Sequence, residues 1–371
     1  MRRTNSDSIT QAAVPAYGGG RCGLRPAAWR GVRRPGDCST IAVAINPSTY
    51  GQRRGAVQDA ASLLPTRETA VLKTGMTPSA IVRHLDQYVI GQDEAKKVLA
   101  VAVYAHYRRV AAQSAGDVAL AKSNVLLVGP SGTGKTLTCE TLSGLLSVPF
   151  VTADATSLAQ SKFVNEEIEA ILLRLIDKAG GDLSLAQRGI VFIDEIDKLR
   201  AREGETRALS GESVQHALLK IMEGAPVRLG DGRYLDTTHI LFICGGAFVG
   251  LDKIMARTHG FGFIATSAGD DERILERLNR RVKPTDLFEF GLIPEFTGRL
   301  PVIAGFQDLT KEMLVRILAV PKNSIYRQYV EILRAEGVEL SVAPRVFEQI
   351  AELAIEYKTG ARSLRGIFEE L

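Results

Sequence analysis

Apolar residues fall along this chain in two alternating rhythms. Short runs of branched residues, bounded by glycine or carboxylates, occur at 124–128, 149–153, 189–195 and 239–246. Such runs predict strands buried on both faces. Between them the spacing changes to threes and fours. Leu137, Leu142, Leu145 and Leu146 predict one helix, and Ile168, Ile171, Leu172 and Leu175 predict another over 164–178. Strands alternating with helices imply a three-layer α/β sandwich around a parallel sheet. Ahead of the first strand, Thr77-Pro78 offers a capping hydroxyl and a proline for the first helical position. The helix it opens shows Ile81, Leu85 and Val89 on its apolar face and breaks at Gly91. A second helix is expected over 93–107, with Ala95, Val98, Leu99, Ala102, Val103 and His106 on one side, then a polar loop over 111–122. His106 has no partner at metal spacing and reads as a packed or surface residue. Past a hinge at 306–309, Leu314, Ile317 and Leu318 form one helix face, and Val346, Ile350, Leu353 and Ala354 form another. Gly360 is placed to end the latter helix.

Composition narrows the picture. The 371 residues allow two or three domains, and 45% apolar with 24% charged residues is a globular balance. No window reaches the ~18 apolar residues of a membrane span. Residues 1–75 hold 11 Lys and Arg against 4 Asp and Glu, so the rest of the chain is slightly acidic. That distribution argues against a nucleic-acid binder. The first 75 residues lack a sustained apolar period and are rich in Gly, Arg, Ala and Pro, which predicts a loose basic extension. Two readings of it stay open: a flexible arm of organelle-transit character, implying a mitochondrial matrix, or an extension upstream of a true start at Met76. Cys22, Cys38, Cys139 and Cys244 form no C-x-x-C pair. Cys139 and Cys244 read as small buried hydrophobes, and a reducing cytoplasm fits. The expected organisation is an extension (1–75), a large α/β domain (76–306) and a small helical domain (307–371).

The chemistry gathers on two strand ends. Gly129-Pro130-Ser131-Gly132-Thr133-Gly134-Lys135-Thr136 fits G-x-x-x-x-G-K-[ST] between a strand and a helix. Backbone N–H groups of such a loop, together with the helix N-terminus, cradle an anion. Lys135 would reach the β- and γ-phosphates of ATP, and the Thr136 hydroxyl would ligate Mg²⁺. The run over 189–195 ends in Asp194 and Glu195. Ligands of open parallel sheets sit at the carboxyl ends of strands. Asp194 therefore faces the same crevice as a Mg²⁺ partner, and Glu195 is placed to polarise the attacking water.

Several runs together resemble the ClpX family of AAA+ unfoldases, the ATPase partners of the ClpP peptidase. They are 84–92 with 95–99, the phosphate loop, 153–156, 187–198 (QRGIVFIDEIDK), 210–212, 217–220, 240–248 (ILFICGGAF), 290–302 (FGLIPEFTGRLPV) and 358–362. The likeness spans about residues 77–371. It implies a P-loop AAA+ fold with a small helical domain, and a homo-hexameric ring that hydrolyses ATP to thread unfolded or tagged proteins toward a ClpP-type peptidase. By the same resemblance Val89 and Ile90 line the adenine pocket. Arg299 is the arginine finger for a neighbouring subunit's nucleotide, and Arg362 is the sensor arginine of the small domain. No membrane or nucleic-acid partner is implied.

The chain departs from the family at identifiable places. It carries no four-cysteine zinc domain. The pore loop, Gly-aromatic-Val-Gly in the family, reads Lys162-Phe163-Val164-Asn165; Phe163 keeps an aromatic paddle, or else starts a helix from a buried position. The basic loop ahead of the 239–246 run is shortened to 228–234. The peptidase-docking tripeptide is Phe261-Gly262-Phe263 rather than Ile-Gly-Phe. The chain stops at Leu371, so the small domain is expected to lack its last elements. These departures keep a second function in view: an ATP-binding but non-processive subunit that regulates a ring.

Overall fold

A computed structural model describes residues 42–45, 76–114, 122–161, 163–200, 211–259 and 282–370. In chain order its strands are β1 (Ala42–Ile45), β2 (Val125–Val128), β3 (Phe150–Asp154), β4 (Ile190–Asp194), β5 (Pro226–Arg228), β6 (Tyr234–Asp236), β7 (Leu241–Gly246), β8 (Val302–Gly305) and β9 (Val338–Ser341). Five of them form the central sheet in the order β3-β4-β7-β2-β8, every neighbouring pair parallel. The strand that leads into the phosphate loop is therefore an inner one, flanked by β7 and β8.

The period of two along these strands sorts their side chains into two layers. Leu126, Val191, Ile193, Phe242 and Cys244 point to one core. Val125, Leu127, Ile190, Phe192, Leu241 and Ile243 point to the other. On the second side lie α1 (Pro78–Leu85), α2 (Asp93–Ser114) and α3 (Lys135–Leu146). The first side is covered by α4 (Ala155–Gln160), α5 (Val164–Lys178), α6 (Leu183–Ala186), α7 (Gly211–Glu223), α8 (Leu251–His259), α9 (Pro284–Phe290) and α10 (Pro294–Gly298). This is the expected three-layer α/β arrangement. Cys139 and Cys244 are both fully buried thiols within it.

Residues beyond 308 build a separate small core. α11 (Lys311–Ala319), α12 (Ile325–Ala335), α13 (Pro344–Glu356) and α14 (Ser363–Glu369) surround Leu314, Leu318, Val346, Phe347, Ile350, Ala354, Leu364 and Ile367. Thr77 caps α1 as anticipated, its hydroxyl accepting from the Ala80 N–H at 3.2 Å.

Several local expectations need correction. α1 ends at Leu85, and Val89 is buried on the extended segment after it, not on the helix. Asp86 keeps helical backbone angles as the C-cap, and its carboxylate pairs with the buried Lys96 ammonium of α2. α2 runs on to Ser114, through residues read as polar loop. Leu353 is exposed. Gly360 does not end α13; Lys358 takes the left-handed turn, and Gly360 opens a 3₁₀ turn, Gly360–Arg362. Within the segment expected to be loose, Ala42–Ile45 pairs antiparallel with β9. Among the described residues no helix is long and apolar enough to cross a membrane.

Candidate functional site

The carboxyl ends of β2 and β4 bring the chemistry together. Gly129 follows β2 directly and its N–H donates to the Gly246 carbonyl of β7 at 3.1 Å. The loop then turns through Gly132, at φ +77°, where any side chain would strike the Thr359 carbonyl of the small domain. Lys135 opens α3 and is buried. Its ammonium donates to the loop's own Gly129 and Pro130 carbonyls at 2.6 and 2.8 Å. Burial holds the ammonium below its ordinary pKa; Asp194 opposes that shift and Arg362 reinforces it. A buried cation satisfied only by neutral carbonyls is primed for an anion.

At the end of β4 the two carboxylates are half-buried. Asp194 accepts from the Glu195 N–H at 2.9 Å. Glu195 takes the left-handed backbone conformation, φ +57°, which swings it off the strand line. Its Oε2 accepts from the Thr156 hydroxyl of α4 at 2.9 Å. A cavity of about 630 Å³ opens here, lined by Thr136, Asp154, Arg174 and Asp194 among others. Thr136 and Asp194 thus present two hard oxygen donors to one space. That set fits Mg²⁺, which keeps most of its shell as water and phosphate oxygen.

The remaining sequence candidates divide. Arg362 belongs with the phosphate loop: it is exposed, its charge is felt at Lys135, and the neighbouring Ala361 N–H donates to the Gly132 carbonyl at 3.2 Å. Val89 and Ile90 are buried, and the Lys96 ammonium of α2 donates to the Val89 carbonyl at 3.4 Å. Arg299 lies elsewhere. It ends α10, and its carbonyl accepts from the Asn124 side chain at 3.1 Å, at the amino end of β2. β8, which follows it, runs parallel to β2. Arg299 and the phosphate loop are therefore separated by the length of the strand, about 13 Å for four residues. The guanidinium is half exposed and pairs with Glu223 of α7 through Nε at 2.9 Å. Phe163 sits at the N-cap of α5 and is 63% exposed as a residue, which discards the buried alternative, and Val164 begins that helix. Lys162 and the Phe261-Gly262-Phe263 tripeptide lie outside the described residues.

Two residues of the site escape sequence reasoning, Thr156 as the partner of Glu195 and Glu223 as the partner of Arg299. Their signal is contact between elements 39 and 76 residues apart, which no local pattern carries.

Comparison with known proteins supplies the family. Residues 120–303 match the model of the AAA domain (Cdc48 subfamily), and residues 309–371 match the C-terminal D2-small domain of ClpB protein. The chain is 49% identical over 313 residues to the ATP-dependent Clp protease ATP-binding subunit ClpX of Treponema denticola, covering 80% of this chain and 75% of that one. It belongs to the ClpX family of AAA ATPases. The ClpX of Azotobacter vinelandii is 44% identical over 346 residues, covering 87% of this chain and 76% of its own. Membership of the ClpX family makes the chain a nucleotide-binding, ATP-hydrolysing subunit in general terms.

Proposed function

We propose that the chain is an ATP-driven protein unfoldase that works as a ring, with each hydrolytic site completed by a second copy. One feature supports this most: Lys135, Thr136, Asp194 and Glu195 sit at one end of the sheet, while Arg299 sits at the other with its charge half exposed. A guanidinium a strand length away does not reach its own phosphates, but it is placed to meet those of a neighbour.

The steps follow from the residues. Lys135 exchanges its two loop carbonyls for the β- and γ-phosphate oxygens of ATP, while the loop N–H groups hold the chain of phosphates. Thr136 and Asp194 would hold Mg²⁺, which when bound neutralises phosphate charge. Val89 and Ile90 would cover the base. Glu195, restrained by Thr156, orients and polarises the attacking water. The partner's Arg299 stabilises the charge that develops on the γ-phosphoryl group, and Arg362 registers its loss on the small-domain side. Movement of the small domain about 306–309 then displaces the exposed Phe163 of each copy, which grips an extended substrate chain. The ClpX relatives are named as subunits of an ATP-dependent Clp protease, so delivery to a ClpP-type peptidase is the matching output. Both relatives are bacterial, which favours the cytoplasm over a mitochondrial matrix.

The test combines light scattering with an unfolding assay. With ATP the chain should assemble to about six copies, the ring that the resemblance implies, and should unfold a tagged fluorescent protein. Glu195→Ala should bind ATP but neither hydrolyse it nor unfold the substrate. Equal turnover in Glu195→Ala would remove that residue from the mechanism. A lasting monomer that binds ATP without unfolding substrate would replace the motor by a non-processive regulatory subunit.

A further inference from the structure

The segment after α1 carries Val89 and Ile90 and then two consecutive left-handed residues, Gly91 at φ +66° and Gln92 at φ +59°. Glycine suits the left-handed backbone at the first, where a Cβ would also displace the flexible Met313 methyl of α11. Gln92 is not glycine, so its backbone is strained and something holds it in place. Its side chain is 95% buried and uses both ends of its amide on one residue of the hinge. Nε2 donates to the Gln307 carbonyl at 2.8 Å, and Oε1 accepts from the Gln307 N–H at 2.8 Å. The side chain thus imitates the edge of a strand and fully satisfies the backbone of Gln307. One residue earlier, the Phe306 N–H donates to the Val128 carbonyl at 2.7 Å, directly ahead of the phosphate loop. The hinge is pinned on one side to the loop's strand and on the other to Gln92. The same segment meets the small domain twice more: at Met313, and through the Lys322 N–H on the Gln87 carbonyl at 3.0 Å.

We propose that Gln92 is a positioning residue for hydrolysis, the latch by which the Val89–Ile90 segment fixes the backbone of the hinge and thereby the setting of the small domain over the nucleotide. The proposal rests on the nucleotide reading of Val89 and Ile90 given above. A base seated on those residues stiffens the segment, and the two bonds to Gln307 carry that stiffness to the point about which the small domain turns. Gln92 touches neither phosphate nor water; it acts through where it holds Gln307, and so through where Arg362 lies relative to Lys135.

Gln92→Gly tests this in the full chain, since glycine accepts the left-handed backbone while removing the amide. The readouts are amide hydrogen exchange of residues 304–309 with and without ADP, nucleotide affinity, and kcat for ATP. Unsubstituted protein should show the hinge amides slowed further by ADP. The variant should keep its melting temperature and its ADP affinity within a few-fold, lose the ADP-dependent slowing, and lose about tenfold in kcat, the scale of one or two hydrogen bonds. Gln92→Glu, which keeps the acceptor but sets a carboxylate against the Gln307 carbonyl, should likewise lower kcat without raising KM. Unchanged kcat and unchanged slowing in Gln92→Gly would overturn the latch. So would a variant that simply melts early and loses ADP affinity and kcat together, because that marks a purely structural residue. Failure of the unsubstituted chain to bind ADP would instead strike the nucleotide reading and carry the latch with it, an outcome distinct from both.

Discussion

The two ends of the central sheet are built on opposite principles. At the carboxyl end the polar groups are held loosely. Asp194 and Glu195 are half-buried, Glu195 leans on one hydroxyl, and Lys135 is satisfied by carbonyls that a phosphate can displace. At the amino end buried side chains are tied to backbone carbonyls, although Nδ1 of His106 and Nε of Arg109 have no partner among the described residues. His106 meets the His239 carbonyl at 3.0 Å, Arg109 donates to that of Thr238 at 3.0 Å, and Lys122 donates to that of Thr237 at 2.8 Å. Three side chains close three successive carbonyls ahead of β7, and the Tyr107 hydroxyl closes that of Arg188 ahead of β4. Burial draws His106 down to about 3 and Lys122 down to about 7, so this end is assembled from groups that resist charge. One end is an open receptor and the other a buried foundation. Arg299 is the exception that gives the contrast its meaning: it stands on the foundation, yet its guanidinium is half exposed and, among the described residues, tied only to a half-exposed Glu223.

Substitutions that separate these roles range from severe to slight. Arg299→Ala should lower ATP turnover by about 10³–10⁵ while leaving ATP affinity near its starting value, as loss of an arginine finger does elsewhere. Steady-state kinetics beside equilibrium binding checks it, and an equal loss in both would make Arg299 a structural member of the foundation. Thr156→Val removes the hydroxyl that occupies one Glu195 oxygen and so leaves that oxygen free to meet water. Unstimulated turnover should rise, by about threefold on the scale of one charge-assisted hydrogen bond; a fall would mean that Thr156 orients the carboxylate more than it restrains it. His106→Gln touches the foundation alone and should leave kcat unchanged, while altering how stability depends on pH. His106 titrates at 6.5 when unfolded but only at about 3 when folded, so its contribution is complete above 6.5 and is lost as pH falls through that window. The variant, with no such proton to take up, should start less stable and lose less on acidification from about pH 7 to about pH 4, by a slope of one proton. Denaturant titrations across that range read the difference directly.

How much of this was legible in the chain follows the same division. The phosphate loop and the acidic strand end are compact in sequence, because strand, turn and helix must follow one another to make an anion cradle. Four of the five central strands and α5 were equally plain, since a buried parallel strand leaves a run and an amphipathic helix leaves a period; the edge strand β8, only partly buried over Val302–Gly305, left no such run. Helix ends were harder. α1 stops at Leu85 with no proline or glycine before Gly91 to mark the end, and α2 continues to Ser114 through residues that look polar in isolation. Val89 matched the helical period only because a residue buried for another reason fell on it. Contacts joining distant elements left no trace at all: Gln92 meets Gln307 across 215 residues, and Glu223 meets Arg299 across 76. The amino-end foundation was likewise invisible. Its histidine, arginine and lysine are ordinary surface types, buried here because three carbonyls need donors.

The central claim is that a catalytic site is completed by Arg299 from a second copy. Mixing two inactive chains tests it most directly: Glu195→Ala, which retains Arg299, and Arg299→Ala, which retains Glu195. Where a subunit of the second kind presents its nucleotide to one of the first, an intact Glu195 meets an intact Arg299. The mixture is predicted to recover ATP turnover well above the sum of the separate preparations. A mixture that assembles into joint rings, yet stays as inactive as its two components, would contradict the account.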